Sequence, residues 1–166
     1  MAALTASTYR VIENCGPSIR MTWRLDNANT FYPGGWTAIP GANALTADRG
    51  YLVEWQNEIN LLWAGMFLGI SATNSLASDS SIVGDTSASP VVEGSTEAGS
   101  FVLMSATVTG VSGQTDVGRS KVYASNDNDL TVTANQAPVV GRVRYWITST
   151  TCDVLFHGMV AAWFTT

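Results

Sequence analysis

Between Phe101 and Phe156 no stretch of chain runs far without meeting a turn signal. Gly110-Val111-Ser112-Gly113, Asn126-Asp127-Asn128-Asp129, Ala137-Pro138 and Ser149-Thr150-Thr151 divide it into Phe101–Thr109, Lys121–Ala124, Leu130–Thr133, Val139–Ile147 and Cys152–Phe156. These pieces are rich in Val, Thr and Tyr, whose side chains suit a pleated, half-buried surface. Short strands at close spacing leave no room for a long helix and predict a mainly β chain, a small antiparallel barrel or sandwich. Within the fourth piece, Val143, Tyr145 and Ile147 alternate with Arg142, Arg144 and Trp146. A strict period of two puts the first set on the core and the second outside, where Trp146 needs a cover.

The first half is less regular. Arg20–Leu25 alternates polar with apolar, so Met21, Trp23 and Leu25 share a face opposite the two arginines. Tyr51–Trp55 reads as a strand, and Leu61–Ile70 as a buried strand, with a helix over residues 54–67 as the competing reading. At ten residues the run Leu61–Ile70 is half the roughly 20 that a membrane helix needs. Turn sequences at Gly16-Pro17, Pro33-Gly34-Gly35 and Pro40-Gly41 punctuate residues 1–46, which read as an N-terminal arm or a set of short strands. Residues 47–166 then form a single β-domain. Residues 71–100 hold nine Ser, three Thr and four acids, a composition that predicts a long, acidic, Ser-rich loop. No Lys or Arg lies between Arg49 and Arg119, so one end of the molecule is expected to be acidic. Tyr51 and Gly69 recur as Tyr123 and Gly141 at the same offset, a faint sign of an internal repeat.

The residues that carry chemistry form no recognisable constellation. His157 is the one histidine, and without a G-x-S-x-G elbow or a cysteine in a reactive setting it reads as structural. No phosphate-binding glycine pattern is present. The run Asn126–Asp129 offers oxygen ligands but lacks the Gly and the closing Glu of a calcium loop, so a hairpin turn is the better reading. Cys15 and Cys152 show no metal-ligand spacing and are expected to be free thiols, with a disulfide tying the N-terminal segment to a late strand as the alternative. With a net charge of −5, 13% charged residues and a single Lys, the chain has no basic run for a nucleic acid backbone. Met1-Ala2-Ala3-Leu4 lacks the features of a secretory signal. We therefore expect no enzyme, cofactor, metal, membrane or nucleic acid. The six tryptophans, Trp23, Trp36, Trp55, Trp63, Trp146 and Trp163, can fill the core, form a sugar-stacking platform or anchor an interface; Trp23, Phe31, Tyr32 and Trp36, interleaved with Arg20 and Arg24, are the candidate anchors for a partner. The apolar Met159–Phe164 is expected to be covered.

Gly118 to Asp127, with its Val122-Tyr123 pair, then Leu130–Thr133, then Val139-Val140-Gly141-Arg142-Val143, resembles the capsid decoration (cement) proteins of tailed bacteriophages. Gly50–Val53 followed by Phe67–Ile70 looks like a more divergent copy of the same arrangement. The resemblance implies a β-tulip-like fold that binds the outside of an icosahedral head and braces its subunits, with the major capsid protein as partner. It also implies a homo-oligomer, a trimer favoured, on the outer capsid surface of the virion, made in the host cytoplasm. An N-terminal segment would make part of the shell contact, which makes Arg20, Trp23, Arg24, Phe31, Tyr32 and Trp36 the expected partner-binding residues. The alternative is a carbohydrate-binding or tail-associated β module of a virion.

Overall fold

A computed structural model of the chain describes residues 4–6, 8–26, 29–41, 51–56, 61–70, 82–83, 92–134 and 139–158. The strands of the first half are β1 (Ile12–Asn14), β2 (Arg20–Leu25), β3 (Thr30–Phe31), β4 (Trp36–Pro40), β5 (Tyr51–Glu54), β6 (Leu61–Ile70), β7 (Ile82–Val83) and β8 (Glu93–Glu97). Those of the second are β9 (Phe101–Thr109), β10 (Lys121–Ala124), β11 (Leu130–Thr131), β12 (Val139–Thr148) and β13 (Thr151–Phe156). The helical reading of residues 54–67 fails, because β6 is strand along its whole length. The mainly β reading holds.

Five strands close into a first barrel in the order β2-β5-β4-β6-β8. Five more run β9-β11-β10-β12-β13, and pairing of β13 back onto β9 closes a second ring. Closure removes most of the exposed edge that an open sheet would present. Strand β1 adds to β9 from outside the ring, and β3 with β7 forms a separate pair.

The two rings repeat one topology. With the strands of each ring lettered a to e in chain order, both run a-c-b-d-e, with a and c parallel and every other pair antiparallel. Irregularities recur as well. The b strand slips register at Thr37/Ala38, opposite Gly65 and Trp63, and at Val122/Tyr123, opposite Gly141 and Val139. The d strand slips at Phe67/Gly69 and at Val143/Tyr145. The repeat hinted at in the sequence is therefore present in the topology, but its residues differ from the two that hinted at it. The counterpart of Gly141 is Gly65, and Tyr51 and Tyr123 lie on different strands of their rings.

This architecture corrects three expectations. A boundary at residue 46 would cut the first barrel in two, since β2 and β4 precede it and β5, β6 and β8 follow. Of the two readings of residues 1–46, an arm or a set of short strands, residues 20–40 take the second. Glu93–Glu97, expected in a loop, is the strand that closes the first ring, buried at every residue after Glu93; residues 71–81 and 84–91 of that loop lie outside the described residues, as do Met159–Phe164. Finally, the extra residue at Val143/Tyr145 flips the alternation of β12. Tyr145 is 58% exposed, Ile147 also faces out, and Trp146 packs on the core cluster instead. Among the described residues the Trp146 indole N–H meets no acceptor.

The first barrel is filled by Leu25, Phe31, Leu52, Ala64 and Phe67. A larger cluster joins Trp36, Ala38, Trp55, Leu61, Trp63 and Met66 of the first barrel to Phe101, Val143, Val154 and Phe156 of the second. The ring of Trp36 lies 4.9 Å from that of Phe156, and Trp63 stacks on the same phenylalanine at 5.4 Å.

Candidate interaction surface

Each of the three tryptophans at the junction donates its indole N–H to a main-chain carbonyl of the second barrel. Trp36 reaches Asn128 at 3.2 Å, Trp55 reaches Ala124 at 2.8 Å, and Trp63 reaches His157 at 3.1 Å. All three rings are almost fully buried. A buried N–H without an acceptor is costly, so these bonds fix how the barrels dock while the rings supply the apolar area. The sequence marks these residues as aromatic but not as a latch.

The expected partner anchors accordingly divide. Trp36 is 0% exposed and Phe31 is 2% exposed, so neither can enter a partner's pocket. Trp23 is half-buried, with its N–H on the Thr96 hydroxyl at 2.9 Å, and Tyr32 is half-buried too. Arg20 and Arg24 are exposed on β2. The six residues do not gather into one surface.

Arg10, which no sequence motif singles out, sits at the rim of the junction. Its guanidinium lies 4.1 Å from the centre of the Trp36 ring, and its Nε donates to the Gly34 carbonyl. Its terminal nitrogen donates to Asn128 Oδ1 at 3.1 Å. Burial pulls its pKa down to about 10, against the attraction of Asp127 and Asp129. The turn Asn126–Asp129 holds itself together: Asn126 Oδ1 accepts from the amides of Asn128 at 2.8 Å and Asp129 at 2.7 Å. Asp127 Oδ1 accepts the Leu4 amide at 3.0 Å. Its oxygens are thus engaged as an Asx turn is, in keeping with the hairpin reading.

Beside this turn the wall of the second barrel opens. Along one edge of β9, β1 covers the beginning and β11 the end, leaving a cavity of about 420 Å³ between them. Tyr9, Arg10, Ser105, Thr107, Asn128 and Asp129 line it in part. Ser105 has φ +52°, a left-handed conformation uncommon outside Gly, Asn and Asp. It is the extra residue of a bulge: Leu103 pairs with Val154 and Ala106 with Cys152, so Met104 and Ser105 together face Asp153. The Asp153 carboxylate accepts the Ser105 amide at 2.9 Å.

Asp153 also stands opposite the slip in β12, next to Tyr145. A row therefore crosses the barrel wall. It runs from Val11, whose carbonyl accepts the Met104 amide at 2.9 Å, through Ser105 and Asp153 to Tyr145. Val11 is 53% exposed and Tyr145 58%, with Tyr9 at 88% near one end and Ile147 near the other. The Arg144–Glu13 pair at 3.4 Å is exposed on both sides and holds little energy.

Cys15 is exposed and Cys152 buried, both as free thiols. Burial and the charge of Asp153 push the Cys152 thiol up to about 11. His157 is half-buried, and desolvation followed by the charge of Arg142 lowers its pKa. Its backbone serves the barrel junction, which fits a structural role. Among the described residues no three of His, Cys, Asp and Glu converge to hold a metal ion. Comparison with protein-family models, with curated proteins and with solved structures finds no match to this chain.

Proposed function

We propose that the chain is a decoration (cement) protein of a tailed-bacteriophage head. In this reading it binds the outside of the assembled icosahedral shell, takes the major capsid protein as partner and braces neighbouring subunits. It does so as a homo-oligomer, a trimer favoured, on the outer surface of the virion. The residues that carry the resemblance, Gly118–Asp127, Leu130–Thr133 and Val139–Val143, hold β10, β11 and the first half of β12, consecutive strands of the second ring.

The observation that supports the reading most is the row Val11–Tyr145. Its backbone is pinned by ladder and carboxylate bonds, while Tyr9, Val11, Tyr145 and Ile147 project apolar area into solvent. Exposed aromatic side chains on a rigid wall are what a protein interface uses as anchors. They lose little conformational entropy on docking, because the wall is already ordered.

The test uses heads stripped of the protein. Wild-type chain should co-sediment with them and raise the temperature at which they rupture, since a ligand of the assembled state stabilises it by mass action. The double variant Val11→Asp, Tyr145→Glu should keep its circular dichroism and lose co-sedimentation. Undiminished co-sedimentation would remove the row from the interface. Equal rupture temperatures with and without wild-type protein would remove the cement role.

One observation favours a carbohydrate-binding virion module as a second reading: Tyr9 stands 88% exposed at the rim of the cavity beside Asn128 and Asp129. An aromatic face next to amide and carboxylate groups suits a sugar ring. Saturable binding on a glycan array, lost in Tyr9→Ala, would favour this reading over the first.

A further inference from the structure

Half of the chain's bases meet on one face of the second barrel. Of its eight Lys and Arg residues, Arg119, Lys121, Arg142 and Arg144 lie on or next to β10 and β12. No two of them are adjacent in sequence, so no basic run marks the cluster; the ladder between the strands assembles it. Lys121 and Arg142 are direct partners in that ladder, so their side chains rise from one face with Cβ atoms roughly 5 Å apart. The Arg142 guanidinium donates to the Arg119 carbonyl at 3.1 Å. That bond ties it to the segment leading into β10 and holds it on the Lys121 side of its strand.

Like charges directly opposite on a sheet destabilise it, and nothing near this pair offsets the cost. Arg119 and Lys121 are exposed and Arg142 is half-buried, yet among the described residues no carboxylate pairs with any of the three. Asp116, close in sequence to Arg119, engages its carboxylate with Ser112, Gly113 and Ser120. Glu13 pairs with Arg144. Apolar surface adjoins the cations. Leu155, half-buried, stands opposite Arg142 on its β13 side, so the row Lys121–Arg142–Leu155 crosses three strands on one face. Tyr145 and Ile147 project further along β12.

We propose that the β10–β12 face is a docking site for an acidic segment of a partner protein, whose carboxylates pair with Lys121 and Arg142 while its apolar side chains cover Leu155. Arg142 keeps donors beyond the one given to the Arg119 carbonyl, enough for a carboxylate. The mixture of charge and apolar area selects a protein as occupant. A uniformly charged polyanion would leave Leu155 uncovered, and the net charge of −5 would repel it at long range. The face reads carboxylates whichever protein presents them, so the proposal does not depend on the shell being the partner.

The experiment follows main-chain amides and the single histidine by NMR on the full-length chain. The probe is a blocked Glu-Leu-Glu-Leu-Glu peptide, titrated to millimolar concentration at low salt, with its Gln form as control. The Glu form should shift the Lys121, Arg142 and Leu155 amides, the Gln form should not, and high salt should suppress the response. His157, whose imidazole feels the charge of Arg142, should titrate at higher pH with the Glu form bound, because a carboxylate beside Arg142 offsets that charge. The double variant Lys121→Gln, Arg142→Gln should bind roughly tenfold more weakly. Lys121→Gln alone removes a like-charge pair and should leave the unfolding midpoint unchanged or raise it. Equal binding of the Gln form, full binding by the double variant, an unmoved His157 titration, or a lower midpoint for Lys121→Gln would each overturn the proposal. Heparin displacing the peptide from the same amides would overturn it in favour of a sulfated polysaccharide, and Lys121 shifts that grow with the concentration of the free chain would do so in favour of a second copy.

Discussion

Gly65 and Gly141 hold the same place in the two barrels. A Cβ on Gly65 would lie 2.1 Å from the carbonyl oxygen of Glu97, and one on Gly141 would lie 2.4 Å from that of Leu155. Each glycine stands at the register slip between strands b and d and lets strand e pass close behind. The obstructing atoms are backbone, so no side chain can swing away to make room.

Replacing either glycine should therefore strain a ring closure. Gly141→Ala should lower the free energy of unfolding by about 1–3 kcal/mol, the usual cost of inserting a carbon into a packed site. Gly65→Ala should cost more, because Gly65 also has φ +104°, a conformation that L side chains avoid. Chemical denaturation measures both. A smaller loss at Gly65 than at Gly141 would contradict the argument.

The indole latch makes a graded prediction. Trp55→Phe removes the donor to the Ala124 carbonyl in a site that water does not reach, so stability should fall by about 1–3 kcal/mol. Trp23→Phe should cost less, since Trp23 is half-buried and its acceptor is a hydroxyl that can turn to another partner. Equal losses at the two positions would mean that the junction bond contributes nothing of its own.

Most strands were legible because their signal is local. β2, β6, β9 and β10 begin and end where periodicity and turn residues place them. β8 was not legible: Glu93-Gly94-Ser95-Thr96-Glu97 has no apolar side chain and borders a Ser-rich stretch. It is buried because β2 and β6 need a neighbour, and Glu97 is accommodated by accepting from the amides of Ile19 and Gly99, both at 3.0 Å. Phe31 and Trp36 misled for the converse reason, since an aromatic residue between turn signals looks alike whether it faces a partner or its own core. The row through Ser105 and Asp153 arises from bulges on β9 and β12, the two strands that flank β13, and a bulge leaves no mark in a single sequence. Ring closure, a pairing between distant strands, was beyond local signals altogether.

His157 should give stability a dependence on mildly acidic pH. Its pKa in the folded chain lies below the ordinary 6.5, so the unfolded chain binds the proton more readily. Stability from this group is complete above the unfolded value and is lost as pH falls through it toward the lower folded one. His157→Gln should flatten the decline of unfolding free energy just below pH 6.5 relative to wild type. An unchanged slope there would mean that His157 titrates alike folded and unfolded.

The thiols should separate by accessibility. Cys15 is exposed and should react with a maleimide in the native protein, while Cys152, 0% exposed on β13 with its thiol held up to about 11, should react only after denaturation. Mass spectrometry should count one label natively and two in denaturant. Two labels on the native protein would mean that the second barrel opens on the timescale of the reaction.

Removing residues 1–36 should abolish folding. The deletion takes β1, β2 and β3 and the first residue of β4, Trp36. Without β2, both β8 and β5 lose a ladder partner, so the first ring cannot close and presents unpaired edges. Losing Trp36 alone removes a fully buried ring that packs on Trp63 and Phe156, and truncating such a residue costs about 3–5 kcal/mol. That is a large part of the roughly 5–15 kcal/mol that holds a domain together. Calorimetry of the truncated chain should show no cooperative transition. A cooperative transition near that of the full-length chain would mean that the remaining strands close a core without β2, and that the first barrel is not the unit described above.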